Sequence, residues 1–157
     1  MEFALVGIPL IFALISIEEM ARGMWIYHSQ IYAVSQAARY AVVHGQDCAQ
    51  NGNTCTMTVG SIATTLANAG VGLAPSQWDV TLVSASGSNN VTCNPLSSCT
   101  SNATVWPPSP DNAAGTSVAI KATYPFPTAM SMFFPGAKFV QFGTYNLPAY
   151  SKQVIQF

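Results

Sequence analysis

The sequence predicts an α+β fold: one long N-terminal helix packed against a small antiparallel sheet that forms a head. Three observations carry this. An uncharged apolar run, Phe3 to Ile17, is followed by a further apolar seam at helical spacing. Two later segments, Asp79–Ser84 and Ser117–Tyr124, alternate apolar and polar residues as strands do. Only 7% of the residues are charged while 50% are hydrophobic, so much of the surface is meant to be covered by something other than water.

The helix is the first element. Met20, Met24, Tyr27, Ile31, Val34, Ala38, Ala41 and Gly45 recur at steps of four and three, the seam of a continuous helix. Ala33–Val43 favours helix by propensity, and Gly45 is a C-terminal stop. The helix is expected over about residues 2–44, roughly 65 Å long. Pro9 leaves the Leu5 carbonyl without its helical partner and is expected to kink it. Glu18 and Arg22 stand four apart with the acid first, the favourable order for a helical ion pair.

As a helix, Phe3–Ile17 spans roughly 22 Å, short of the ~30 Å hydrocarbon core of a bilayer. It is bounded by Glu2 on one side and Glu18–Glu19 on the other, with no basic residue before it. The expectation is a basic leader already removed upstream. Glu2 has no partner within its own reach. Either a neighbouring subunit supplies one, or the carboxylate sits in interfacial water.

The head, residues 46–157, is expected to begin with disulfide loops and to follow the helical segment 1–45 as a second unit. Cys48, Cys55, Cys93 and Cys99 form two close pairs in polar loops, which reads as disulfides in an oxidising compartment. Of three connectivities, Cys48–Cys55 and Cys93–Cys99 are favoured because each closes a short loop. No C-x2-C or Cys/His spacing points to a metal. Asn90 and Asn102 each begin an Asn-x-Thr triplet, a candidate glycosylation pattern that polar loops also carry by chance. A short helix is expected at Ser61–Ala69, ending at Gly70. Ala85–Asn112 reads as one long loop containing Trp106-Pro107-Pro108. The strand Ser117–Tyr124 is expected to end at Pro125 and Pro127. Met130–Phe134 is a short helical turn or an apolar patch, and Phe139–Tyr145 and Gln153–Phe157 read as further strands. The aromatic-rich C-terminal third is either the packing of this sheet or a subunit interface.

Catalytic chemistry finds no footing. His28 and His44 lie sixteen residues apart on the predicted helix, Asp47 stands near His44 without a nucleophile motif, and no G-x-S-x-G, phosphate-binding glycine loop or haem motif occurs. Five Lys and Arg give no electrostatic footprint for nucleic acid. No cofactor is expected. Trp25, Tyr27, Tyr32 and Tyr40 read as packing rather than as an electron path.

The residues also carry a resemblance. Met1-Glu2-Phe3-Ala4-Leu5, Pro9, the Glu18–Glu19 pair and Arg22-Gly23-Met24-Trp25 resemble the start of TadE-like pilins and pseudopilins. Ala37-Ala38-Arg39-Tyr40-Ala41 resembles a second block of that family, and Val118–Pro127, with its Tyr124-Pro125-Phe126, resembles its closing strand. Residues 46–112 carry no such motif. The resemblance implies a pilin-like fold and a structural subunit of a type IV-like, Tad-type filament serving surface attachment. It implies copies of the chain or related pilins as partners, the inner membrane before assembly, and processing by a prepilin peptidase. It further implies that Glu2 pairs with the N-terminal amine of a neighbouring subunit, that a few mature residues precede Met1, and that Glu2, Phe3, Leu5, Pro9, Glu18 and Arg22 belong to the assembly region. A minor pseudopilin of the inner membrane, or a membrane-anchored module binding a ligand through the Trp106 loop, are the rival readings.

Overall fold

The computed structural model describes residues 2–45, 47–48, 57–128 and 143–156, with side chains from Val6 onward. Helix α1 runs from Glu2 to Val42 and passes Pro9 without a break in its assignment. Its last turn is tied off by residues from the other end of the chain: the Gln156 amide donates to the Val42 carbonyl at 3.1 Å. His44 Nδ1 lies 2.7 Å from the Tyr40 carbonyl oxygen, at the helix end where a histidine suits the exposed carbonyls.

Helix α2, Val59–Ala69, starts on a capping box. The Ser61 amide donates to Thr58 Oγ1, and the Thr58 amide donates to Ser61 Oγ, each at 3.1 Å. Val59, Ile62, Ala63 and Leu66 repeat at helical spacing and are buried. Gly60 is required by a close approach, because a Cβ there would stand 2.8 Å from the Thr100 carbonyl oxygen and 2.9 Å from that of Asn102.

Four strands follow: β1 (Asp79–Val83), β2 (Val91–Cys93), β3 (Ser117–Pro127) and β4 (Thr144–Val154). They form one antiparallel sheet in the order β2-β1-β3-β4. The register places Val80 opposite Ala122 and Leu82 opposite Ile120, so the alternating apolar residues of both strands turn to one side. That side is covered by the upper half of α1 and by α2, and together they bury Trp78, Leu82, Ile120, Ala33, Val34, Ala37, Ala38 and Ala41. The alanines let the sheet and α2 come close to the α1 backbone. The α+β class and the antiparallel sheet on a long helix agree with the sequence reading.

Three expectations about the head are corrected. The long loop after Ala85 contains β2 and a 3-10 turn, Leu96–Cys99. A three-residue strand is too short to show alternation. β3 continues through Pro125 to Pro127 instead of ending at Tyr124. Beyond Thr123 the strand has lost β1 as a neighbour, so its outer side is an edge, where a residue without an N–H is tolerated. Two separate C-terminal strands become the single β4, which includes Pro148 because β4 is itself an edge strand. The segments Met130–Phe134 and 139–142 lie outside the described residues.

The Cys93–Cys99 disulfide joins β2 to the 3-10 turn across a separation of six residues. Cys48 is buried and disulfide-bonded; its expected partner Cys55 lies outside the described residues. Trp106 is buried at 1% exposure, its Nε1 donating to the Asn89 carbonyl at 2.8 Å. Its side chain is a core residue.

Candidate functional site

The described residues of the head cover only part of α1. From Gln30 upward one stripe of the helix is buried: Gln30, Ala33, Val34, Ala37, Ala38, Ala41 and Val42. Lower down the contact thins to the half-buried Gly23 and Ile26, and from Val6 to Ile17 no buried residue occurs on the helix.

The predicted seam is therefore half displaced. Val34, Ala38, Ala41 and Gly45 are buried as expected, but Met20, Met24, Tyr27 and Ile31 are exposed, Met20 by 69% and Met24 by 56%. The physical reason is that both stripes of this helix are apolar. The head takes the one with small residues at Gly23, Ala33 and Ala37, and the large side chains are left on the outer one. Thirteen of the eighteen exposed large hydrophobic side chains among the described residues lie on α1 between Val6 and Tyr32. Monomeric proteins rarely leave such a contiguous apolar surface in water.

Arg22 is the strut at the point where head and helix part. Its guanidinium lies 4.7 Å from the centre of the Phe126 ring and donates to the Pro127 carbonyl. It pairs with Glu19 at 3.5 Å, whereas the sequence pairs it with Glu18. Glu19 shares the head-facing side of the helix with Gly23 and Ile26, so the arginine turned toward Phe126 meets Glu19; Glu18 is exposed. Beside this strut a groove of about 590 Å³ opens between α1 and the lower ends of β3 and β4, lined by Met20, Gly23, Met24, Phe126, Tyr145 and Leu147 among others. Higher on the helix a notch of about 260 Å³ lies between Trp25, His28 and Tyr32 of α1 and Val71 after α2.

Pro9 is exposed on α1. Glu2, Phe3 and Leu5 belong to its first turns, and their side chains lie outside the described ones. The Asn90 side chain accepts from the Ser84 amide at 3.1 Å and that of Asn102 from the Thr104 amide at 2.9 Å, so both candidate glycosylation residues shape their own turns. In the C-terminal third, Tyr124 and Phe126 are core while Tyr145 and Tyr150 are exposed, so that region serves both packing and surface.

Comparison with family models, with curated proteins and with solved structures gives no match. The chemistry of the site therefore rests on its own residues. Among the described residues no group of three or more His, Cys, Asp and Glu could hold a metal ion, and no helix is long and apolar enough to cross a membrane. His28 is on α1 and His44 just beyond its end. The sequence reading missed two features: the groove, and a polar clamp around Asp111. The Asp111 carboxylate is buried and accepts from Ser86 Oγ at 2.6 Å, the Ser86 amide at 3.2 Å and Asn89 Nδ2 at 3.0 Å. These hydrogen bonds, that from the Ser86 side chain first, hold its pKa below the ordinary carboxylate value. No motif spacing signals either feature, because both join residues more than twenty positions apart.

Proposed function

We propose that this chain is a structural subunit of an extracellular, pilin-like filament, held at the inner membrane before assembly and joined to copies of itself or related chains along α1. The observation that carries the reading is the apolar face of α1 from Val6 to Tyr32, whose large side chains are exposed among the described residues. Burying a large aliphatic side chain contributes ~1.5–3 kcal/mol before entropy is charged, so a face of this size supports a stable assembly. The Cys93–Cys99 disulfide fits a head that works outside the cytoplasm. The TadE-like resemblance of the two ends gives the filament its class, and with it surface attachment as a role, prepilin peptidase as the processing enzyme and no catalytic activity of its own.

The test is to shear filaments from the producing cells and identify their main protein by intact mass. This chain as the dominant species supports a shaft subunit. Its presence in membranes alone, at low stoichiometry, makes it a minor pseudopilin or an anchored binding protein instead. Within filaments, Glu2→Ala is expected to impair assembly while leaving membrane association intact.

A further inference from the structure

We infer that the outward face of the sheet, centred on Lys121, Tyr150 and Lys152, binds an acidic polysaccharide, a sugar chain bearing carboxylates; the inference deepens the attachment role proposed above and rests on that reading for where the face points.

The strand register builds this face. Ile120, Ala122 and Tyr124 of β3 turn toward the core, so Lys121 and Thr123 between them turn to the other side. One row of residues crosses the whole sheet there. Thr92 of β2 stands opposite Thr81 of β1, Thr81 opposite Lys121 of β3, and Lys121 opposite Tyr150 of β4. Lys152 follows two residues after Tyr150 and turns to the same side. Its Cα lies diagonally from that of Lys121, roughly 7–8 Å away. Thr92, Lys121, Tyr150 and Lys152 are exposed, Tyr150 by 58%.

Charge and shape point to the ligand. Two of the chain's five Lys and Arg residues stand on this face, and neither is in an ion pair among the described residues. On a chain of net charge -1 they make a local cationic spot that suits an anionic partner. Lys121 Nζ lies 6.0 Å from the centre of the Tyr150 ring, so ring and ammonium can act on one bound group. The exposed ring offers an apolar face to the C–H face of a sugar. Its hydroxyl, with those of Thr81 and Thr92, suits a partner rich in hydroxyls. A protein partner would ask for an apolar centre with several large anchors, and Tyr150 is the one aromatic side chain of the row. Nucleic acid would ask for a broad basic stripe, whereas Asp79 shares this face with the two lysines.

The opposite side of the sheet packs on α1. With α1 along the axis of a fibre, the lysine face turns away from that axis on every copy. Weak binding at each copy is then multiplied along the fibre.

The test measures binding of the purified full chain, in mild detergent, to immobilised alginate, a polymer of uronic acids. Neutral dextran and single-stranded DNA are the comparisons. Binding to alginate that weakens as salt is raised is expected, with none to dextran. The double variant Lys121→Gln with Lys152→Gln is expected to bind about tenfold more weakly, and Tyr150→Ala about fivefold. Both should melt at nearly the wild-type temperature, because the three side chains are exposed. Wild-type chain that ignores alginate, holds dextran equally well or prefers DNA at the same salt would overturn the inference. Unchanged alginate binding by either variant would overturn it too. Sheared filaments are assayed in parallel. Filaments that form but do not bind alginate would defeat the inference and leave the filament reading standing. Alginate binding by a chain that forms no filaments would support the face and remove the filament reading.

Discussion

The Arg22 guanidinium stacks 4.7 Å from the centre of the Phe126 ring and donates to the carbonyl of the next residue, Pro127. This contact spans more than a hundred residues of sequence and fixes where the sheet stops following the helix. Above it α1 is a core element; below it, from Val6 to Ile17, no residue of the helix is fully buried among the described residues.

Arg22→Ala is expected to loosen the lower end of the head. A cation–π contact at an exposed site is worth ~0.5–1 kcal/mol and the charged hydrogen bond adds to it, while the half-exposed Glu19 pair adds little. The expected loss is about 1–2 kcal/mol by chemical denaturation. Amide exchange should accelerate at Phe126 and Thr128 far more than at Ile120. Uniform acceleration along β3 would contradict a local strut.

Gly60→Ala is expected to cost about 1–3 kcal/mol, since its Cβ meets two backbone carbonyls that cannot swing aside. Gly143→Ala, where a Cβ meets nothing within 4 Å, is expected to stay within about 0.5 kcal/mol. Thermal melts of the two variants side by side decide the matter; equal effects would refute the close approach of α2 to the Thr100–Asn102 loop.

Gln30 is wholly buried on α1, and neither its side-chain nitrogen nor its oxygen has a hydrogen-bond partner. Leaving such atoms unsatisfied costs ~1–3 kcal/mol each way of counting, so Gln30→Leu, close in volume and free of polar atoms, is expected to stabilise the chain by about that amount. A raised denaturation midpoint with an unchanged slope is the predicted readout. Destabilisation would mean that the amide is satisfied in solution.

The Asp111 clamp gives a pH dependence with a definite sign. The folded pKa lies below that of the unfolded chain, so the native state binds the proton less well. The stabilisation is present in full above the unfolded value, about 3.9, and is lost as pH falls through the folded value. Stability of the wild type should decline below about pH 4 more steeply than that of Asp111→Asn. Parallel pH profiles of the two proteins would remove the carboxylate from the account.

Much of the architecture was legible in the residues. Helical propensity over Ala33–Val43, the Gly45 stop, the alternation of Val80 and Leu82 and of Val118, Ile120 and Ala122 are local signals, and they survive because each depends on neighbours along the chain. The Cys93–Cys99 loop was legible for the same reason. What was displaced involves a choice between surfaces. Met20, Met24, Tyr27 and Ile31 have the periodicity of a buried seam, yet the stripe through Gly23, Ile26, Gln30 and Ala33 is the one the head occupies. Periodicity measures apolarity around the helix, and it cannot register that a sheet packs closest where side chains are small. The prolines of β3 misled for a related reason: a missing N–H ends a strand only where a neighbouring strand asks for it, and strand order is not a local property.

The sequence by itself determined that this protein has a long apolar helix, a poorly charged surface and a disulfide-bearing antiparallel head, because composition, period and short-range spacing are written residue by residue. Only the tertiary structure decided which face of that helix is spent on the head and which is left outward, how Arg22 comes to stand over Phe126, and that a groove opens beside Gly23. Those outcomes depend on the fit of surfaces brought together from opposite ends of the chain, and close packing selects among apolar faces by shape, which no pattern of hydrophobicity encodes.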